Sequence, residues 1–228
     1  LFMGSFGYCV GDINYNGPLK PPLHPRRLLD GVIEGVKDGG NKSGVPTTFG
    51  QTLFNPGYMG KSLVFVTALG IMPSKVKGKP SHEKKTSPGE LIIMSGGRVG
   101  KDGIHGVTAS SESYSENTPA GHVQIGDPYT QKKMHDFLLI CRDEGLIPFI
   151  TDNGGGGLSS SIGESAMISN GCVVWLDKVP LKYEGLDMWE IWISESQERM
   201  TIAVKPENLD RYMELSAEHE VESTVIGD

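Results

Sequence analysis

Four consecutive glycines, Gly154 to Gly157, separate an apolar run from a helical one, and they narrow what this chain can become. Each glycine adds conformational entropy that folding must remove, so a run of four needs a reason. The reason available is a sharp turn or a close backbone approach. Leu146 to Thr151 reads as a strand and Ser159 to Ser169 as a helix, so the glycines form a strand–turn–helix junction. In open α/β sheets such junctions, outside the carboxyl ends of strands, are where ligands sit. Asp152, at that strand end, is a hard oxygen ligand. Magnesium is commonly held by one or two carboxylates together with substrate phosphates. The plainer role for such an aspartate is a cap or turn residue.

The remaining pattern predicts alternating strands and helices, hence an α/β (α+β) layer fold. Residues 1–25 are rich in Gly and Pro and read as irregular. Arg26 to Asp38 carries Leu28, Leu29, Val32, Ile33 and Val36 at helical spacing, with Gly39-Gly40 as the expected stop. Ser62 to Ile71 is almost continuously apolar and β-branched, the pattern of a strand buried on both faces. The stretch from Pro73 to Pro88 holds Lys75, Lys77, Lys79, Lys84 and Lys85 and reads as a solvated linker. Leu91–Met94, Val173–Leu176 and Met200–Val204 read as strands. Gln131–Glu144, with Met134, Phe137, Leu138 and Cys141 inward, and Asn208–Ala217 read as helices. The expected division is 1–72, a linker at 73–90, and 91–228.

Composition excludes several classes. The 31 glycines are clustered rather than periodic, so a collagen-like chain is ruled out. The net charge of −7 and the lack of a Lys/Arg stripe with interleaved aromatics argue against nucleic acid as a partner. No apolar run is long enough to cross a bilayer, so no membrane is expected. Cys9, Cys141 and Cys172 are odd in number and far apart, which suggests neither a disulfide framework nor a zinc motif and fits a reducing, cytoplasmic setting. The chain opens at Leu1 and stops at Asp228 directly after the strand-like Ser223–Ile226, so an internal piece of a larger protein is expected.

Three further segments carry polar chemistry that packing does not require. Residues 96–106, GGRVGKDGIHG, join five glycines to Arg98, Lys101 and His105. Backbone N–H groups and an arginine fork in such a loop suit an anion, although no Gly-Lys-Ser/Thr follows to make a P-loop. A turn-rich connection with solvated charges is the alternative. In His122–Pro128, Gln124 lies between two β-branched residues in what reads as a strand, and its amide can both donate and accept. Trp192–Met200 encloses the polar run Ser194-Glu195-Ser196-Gln197-Glu198-Arg199, which by spacing alone reads as a turn.

Taken in order, these segments resemble the phosphoribosylformylglycinamidine synthase family. The resemblance rests on DGGNKSGVPT (38–47), GGRVGKDGIHG (96–106), VQIGDP (123–128), DNGGGGL (152–158) and SESQERM (194–200). It implies the tail of an N-terminal synthetase domain, which helps to form a β-barrel, followed by most of a C-terminal α/β domain like that of aminoimidazole ribonucleotide synthetase. It implies an ATP- and glutamine-dependent ligase of purine biosynthesis. ATP activates the amide oxygen of formylglycinamide ribonucleotide, and ammonia from a glutaminase subunit or domain displaces the phosphate. Carried over by residue, Gln124, Glu195, Ser196 and Gln197 would contact the substrate, Asp152 would bind Mg2+, and Arg98 and Lys101 would face the substrate phosphate.

The family's catalytic histidine motif is absent. His24, in Leu-His-Pro, does not match it, so no catalytic residue is assigned and the chain alone is expected to be inactive. As a fragment it is expected to self-associate. Competing readings are a related synthetase or kinase, of the selenophosphate synthetase or thiamine-phosphate kinase type, and a non-catalytic ligand-binding module of the same fold.

Overall fold

The computed structural model describes residues 2–18, 23–112 and 120–228. It divides into two compact units. The first comprises residues up to Met72 together with a short segment beginning at Glu112, and the second comprises Pro73–Ser111 and Pro119–Asp228.

In the first unit β1 (Phe2–Val10) is followed by α1 (Pro25–Ser43), β2 (Thr47–Phe54) and β3 (Leu63–Gly70). β1 is central, parallel to β2 and antiparallel to β3. The sequence reading made this N-terminal stretch irregular, and its strand is a correction; residues 19–22 lie outside the described residues. Pairing on both sides overrides the poor strand propensity of its glycines, because neighbouring rings cover them. Gly7 lies opposite Phe65 and under its ring, and Phe6 covers Gly50 in the same way.

Helix α1 also departs from expectation. It runs through Gly39-Gly40 and stops at Gly44, whose φ of 72° supplies the left-handed turn that ends helices. Glycine inside a helix only weakens it, whereas the positive-φ position terminates it. At its start Pro25 occupies the first turn and the His24 ring accepts from the Arg26 N–H. β3 is a third correction. Every residue of the strand is exposed, Val66 to 63%, although an apolar run implied burial on both faces. Continuous apolarity shows that both faces favour cover, not that the same unit provides it.

The second unit begins with a hairpin, β4 (Lys75–Val76) and β5 (Lys79–Pro80), inside the lysine-rich stretch. Its turn residues Lys77 and Gly78 both have positive φ, as a tight hairpin needs. The Lys77 ammonium donates to the Glu144 carbonyl, and the Lys85 N–H to the Pro148 carbonyl, so the stretch is tied to this unit. Then come β6 (Leu91–Gly96), the short α2 (Gly106–Ser110), α3 (Pro128–Glu144), β7 (Phe149–Asp152), α4 (Gly157–Ser169), α5 (Met188–Ile193), β8 (Arg199–Val204), α6 (Leu209–Glu218) and β9 (Ser223–Gly227). The expected strand at Val173–Leu176 shrinks to a single bridge, Val174 with Gly227, followed by a 3-10 turn.

Four strands form one antiparallel sheet in the order β7-β8-β6-β9. Helices cover both faces. Ile93, Ile202 and Val204 pack with Met134, Phe137 and Cys141 of α3 and Tyr212 and Leu215 of α6. Ile92, Met94 and Ile226 face Leu158 and Ile162 of α4 and Ile191 of α5. The β6 side chains therefore alternate between two cores, as the period of a strand requires. Phe137 is fully buried, with its ring edge-on to Tyr212 at 5.0 Å. Phe137→Ala should cost about 3–5 kcal/mol, read from the urea midpoint, whereas Val173→Ala, at an exposed position, should change it by less than about 0.5 kcal/mol.

Candidate functional site

The antiparallel order has a direct consequence at one edge of the sheet. There β6 and β7 end while β8 and β9 begin. Gly96 lies opposite Arg199, Asp152 opposite Met200, and Ser95 opposite Ser223. The loops after β6 and β7 and the segment entering β8 thus converge, although they are distant in sequence.

Glu195 joins them. It is 4% exposed. Its Oε2 accepts from the Gln124 amide at 2.6 Å and from the Val107 N–H at 3.0 Å, and its Oε1 accepts from the Gly156 N–H at 3.1 Å. One carboxylate therefore binds the end of the first glycine loop, the 122–128 segment and the second glycine loop. Hydrogen bonds to an ionised acceptor are the strong kind. The glycines make the approach possible. Gly157 has φ 59°, and a Cβ there would lie 2.1 Å from the Ser194 carbonyl oxygen; at Gly96, φ 111°, it would lie 2.1 Å from the Glu198 carbonyl oxygen.

The neighbouring serines are enclosed. The Ser196 hydroxyl donates to Asp102 Oδ1 at 2.8 Å and accepts from the Gly100 N–H at 3.0 Å, while that of Ser194 donates to the Gly100 carbonyl at 2.6 Å. Lys182 reaches both oxygens of Asp102, at 2.8 and 2.9 Å. Burial alone would raise the Asp102 carboxyl, but Lys182 and Ser196 outweigh it and hold it below the usual range. Arg199, 2% exposed, donates from Nε to the Ser196 carbonyl and from Nη2 to the Ser194 carbonyl, both at 2.6 Å, which fixes the bend leading into β8. Burial pushes this guanidinium down to about 10, against the pull of Asp102, so it stays charged at neutral pH.

Beside this knot lies a cavity of about 170 Å³, lined among others by Gln131, Asp152, Asn153, Gln197, Glu198 and Met200. Asp152 is exposed, and its Oδ1 accepts from the Gly154 N–H at 2.8 Å. Asn153 is 2% exposed; its carbonyl oxygen accepts from the Ser161 and Thr201 hydroxyls, at 2.5 and 2.8 Å. Its Nδ2 has no partner among the described residues. Among the described residues no three His, Cys, Asp or Glu side chains cluster as a metal cage. A lone exposed carboxylate at a cavity rim still fits a magnesium ion that takes its other ligands from phosphates and water.

Of the residues singled out from the sequence, Gln124, Glu195, Ser196 and Gln197 come together, with Asp152 on the adjoining cavity. Glu195 and Ser196 are buried in the scaffold, while Gln197 is half-buried, its amide donating to the Glu195 carbonyl at 2.6 Å. Gln124 is exposed apart from this bond and does not lie in a strand. Its flanks Val123 and Ile125 are 62% and 66% exposed and the segment is extended loop, which corrects the strand reading. Arg98 and Lys101 are not brought to the cavity. Arg98 forms a two-pronged ion pair with Glu222 at 2.8 and 3.1 Å, and Lys101 pairs with Glu190 at 3.0 Å. Sequence reasoning missed Asp102, Glu198 and Arg199. A visible signal existed for Arg199, a charge placed directly against the apolar run Met200–Val204.

An antiparallel sheet covered on both faces by helices, with glycine-rich loops gathered at one edge, is an α+β layer fold. The sequence matches AIR synthase related protein, C-terminal domain, over residues 87–228, and AIR synthase related protein, N-terminal domain, over residues 10–72; the chain belongs to this family. It is similar to phosphoribosylformylglycinamidine synthase subunit PurL of Thermococcus gammatolerans, with 40% identity over 234 residues that cover 100% of this chain and 32% of the relative. PurL of Thermotoga maritima is 37% identical over 199 residues, 86% of this chain and 32% of the relative. The chain therefore spans about a third of the length of the curated relatives it matches. Among solved structures, T. maritima PurL complexed with FGAR superposes with a TM-score of 0.75 at 29% identity, covering 98% of this chain and 35% of that one. E. coli HypE, at 16% identity and a TM-score of 0.65 over 99% of this chain and 66% of its own, shares the fold.

Glu195→Gln replaces one of the two acceptor oxygens with a donor that faces an N–H group. It should cost about 1–3 kcal/mol in urea unfolding at neutral pH, while exposed Glu184→Gln stays within about 0.5 kcal/mol. Asp102 is depressed when folded, so its contribution is present above the ordinary carboxylate value and is lost as pH falls through the lower folded value. Asp102→Asn should accordingly flatten the acid limb of stability below about pH 4.

Proposed function

We propose that this chain is the substrate- and magnesium-binding portion of a phosphoribosylformylglycinamidine synthase, a carbon–nitrogen ligase, and that it binds formylglycinamide ribonucleotide. The observation that carries the reading is the buried Glu195 carboxylate, which ties the Gln124 amide to both glycine loops beside the Asp152 cavity. The likeness to PurL structures complexed with FGAR, with ATP and with AMPPCP supports it. It favours this ligase over the selenophosphate synthetase, thiamine-phosphate kinase and non-catalytic readings.

In this reading residues 1–72 are part of an N-terminal synthetase domain, 73–90 the connection, and 91–228 the C-terminal domain. Gln124 and Gln197 present amides to the substrate amide, since a carboxamide can both donate to and accept from another. Glu195 and Ser196 complete the same surface, their enclosed side chains holding the backbone and Gln197 in place. Asp152 would hold magnesium, which supplies charge neutralisation to phosphates when bound. Arg98 and Lys101 reach a substrate phosphate only by leaving Glu222 and Glu190. ATP is the second substrate of the whole enzyme, and a glutaminase subunit or domain supplies ammonia; a solved structure of PurLQS from T. maritima is among those this chain resembles.

Calorimetric titration of the chain with formylglycinamide ribonucleotide tests the reading. Saturable binding is expected, and Gln124→Ala should weaken it by about tenfold, the loss of one good polar contact. No binding at millimolar substrate would overturn it. Asp152→Asn keeps the turn-capping bond to Gly154 but not the charge, so magnesium-dependent tightening of ATP-analogue binding should disappear in the intact ligase while the urea midpoint holds. An equal loss of both would make Asp152 structural.

The isolated chain should form no amidine when given ATP, ammonia and substrate, because the family's histidine motif is missing from it. Its first unit bares Phe49, Leu53, Phe65, Val66 and Leu69 on a sheet edged by β2 and β3. Self-association is therefore expected. Light scattering should show mass rising with concentration, and Val66→Lys should reduce the rise.

A further inference from the structure

Glu198 occupies a doubly unfavourable position. It is one of five described non-glycine residues with positive φ, at 55°, a conformation that costs an L-residue with a Cβ of the order of 1 kcal/mol. Its side chain lies on the wall of the cavity it shares with Asp152 and Gln197. Burial pushes its carboxyl upward and Asp127 and Asp102 add to this, with the Asp127 N–H and Lys182 opposing. Stability alone would place glycine here, because glycine carries neither penalty.

The geometry shows where the side chain reaches. The Glu198 carbonyl accepts from the Gly97 N–H at 2.8 Å, which anchors its backbone beneath the end of β6. From there Oε1 extends to the backbone ahead of α3, where a Cβ on Gly126 would lie 3.3 Å from it. Gly126 and Asp127 directly follow the exposed, strand-less stretch that carries Gln124. At its other end that stretch is held near the site by the Gln124–Glu195 bond at 2.6 Å and through Gly121, whose carbonyl accepts from the Gly103 N–H at 2.8 Å. A loop with so few contacts opens locally unless something pins it.

We infer that Glu198 is a positioning residue: held in left-handed backbone on the β8 side of the cavity, its carboxylate pins the backbone at Gly126–Asp127 and so sets Gln124 against Glu195, in register to meet the substrate amide. The inference rests on the reading of Gln124 as the substrate-recognising amide, but its first test does not need a ligand. The titratable and charged groups facing the carboxylate are Asp127, Asp102 and Lys182, from three different segments, none of them the run that leads into β8.

The experiment compares the chain with Glu198→Gly and Glu198→Gln by amide hydrogen exchange, thermal melting and titration with formylglycinamide ribonucleotide. Glu198→Gly relieves the φ cost, so its Tm should stay within about 3 °C of the parent or exceed it. Exchange at residues 123–127 should nevertheless speed up by about tenfold, with no change at the β6 and β8 amides. Glu198→Gln can still accept an N–H, so it should restore slow exchange. Substrate affinity should fall in the glycine variant and recover in the glutamine variant. Unchanged exchange at 123–127 in Glu198→Gly overturns the inference, as does faster exchange spread through the sheet with a lowered Tm, the sign of a general structural role. Failure of the parent chain to bind the substrate would overturn the proposed function, while the exchange result would still decide whether Glu198 positions this segment.

Discussion

A single buried carboxylate organises the second unit's functional edge. Glu195 has two oxygens and three N–H partners, drawn from residues 107, 124 and 156. A carboxylate withdrawn from water is tolerated only where hydrogen bonds replace its hydration. The strand order brings the loops after β6 and β7 to one edge, and the Gly103 N–H ties the first loop to the Gly121 carbonyl. The cost of leaving Glu195 unsatisfied adds one shared anchor for both glycine loops and the strand-less segment. The glycines are the counterpart of that demand: Gly157 and Gly96 let backbone approach backbone at distances where any side chain would collide.

The buried charges around it divide the labour. Arg199 binds the Ser194 and Ser196 carbonyls and so keeps the polar run bent, while Asp102, satisfied by Lys182 and Ser196, attaches that run to the loop after β6. None of these groups faces solvent as a free reagent. What remains accessible is a small set of amides, Gln124 and Gln197, and the exposed carboxylate of Asp152. In the proposed reading these are the groups that would meet an amide-bearing phosphorylated substrate and a hard cation.

The second unit's elements were largely legible because local and global signals coincide there. Met134, Phe137 and Cys141 repeat at helical spacing and are the residues that enter the core. Met200–Val204 reads as a strand and is one. The errors fall where long-range pairing overrides local preference. The glycine-bearing β1 became a strand because it is paired on both edges and its Gly7 is covered by the Phe65 ring of β3. Gly39-Gly40 did not end α1 because only Gly44 adopts the left-handed turn. Gln124 was expected in a strand from its β-branched neighbours, yet among the described residues no strand pairs with it.

By itself the sequence determined the alternation of strands and helices, the places where backbone must turn or approach closely, and, through the order of five motifs, the family. Those properties are local or cumulative along the chain, and composition and spacing carry them. Only the tertiary structure decided which polar residues are buried ties and which are exposed to a ligand. Glu195, Gln197 and Glu198 look alike as three members of one polar run, but the first is enclosed by donors from elsewhere, the second is half-open and the third is held in left-handed backbone at a cavity wall. The difference lies in desolvation and partner geometry, which are set by segments up to 88 residues away from Glu195, and no reading of neighbouring residues contains them.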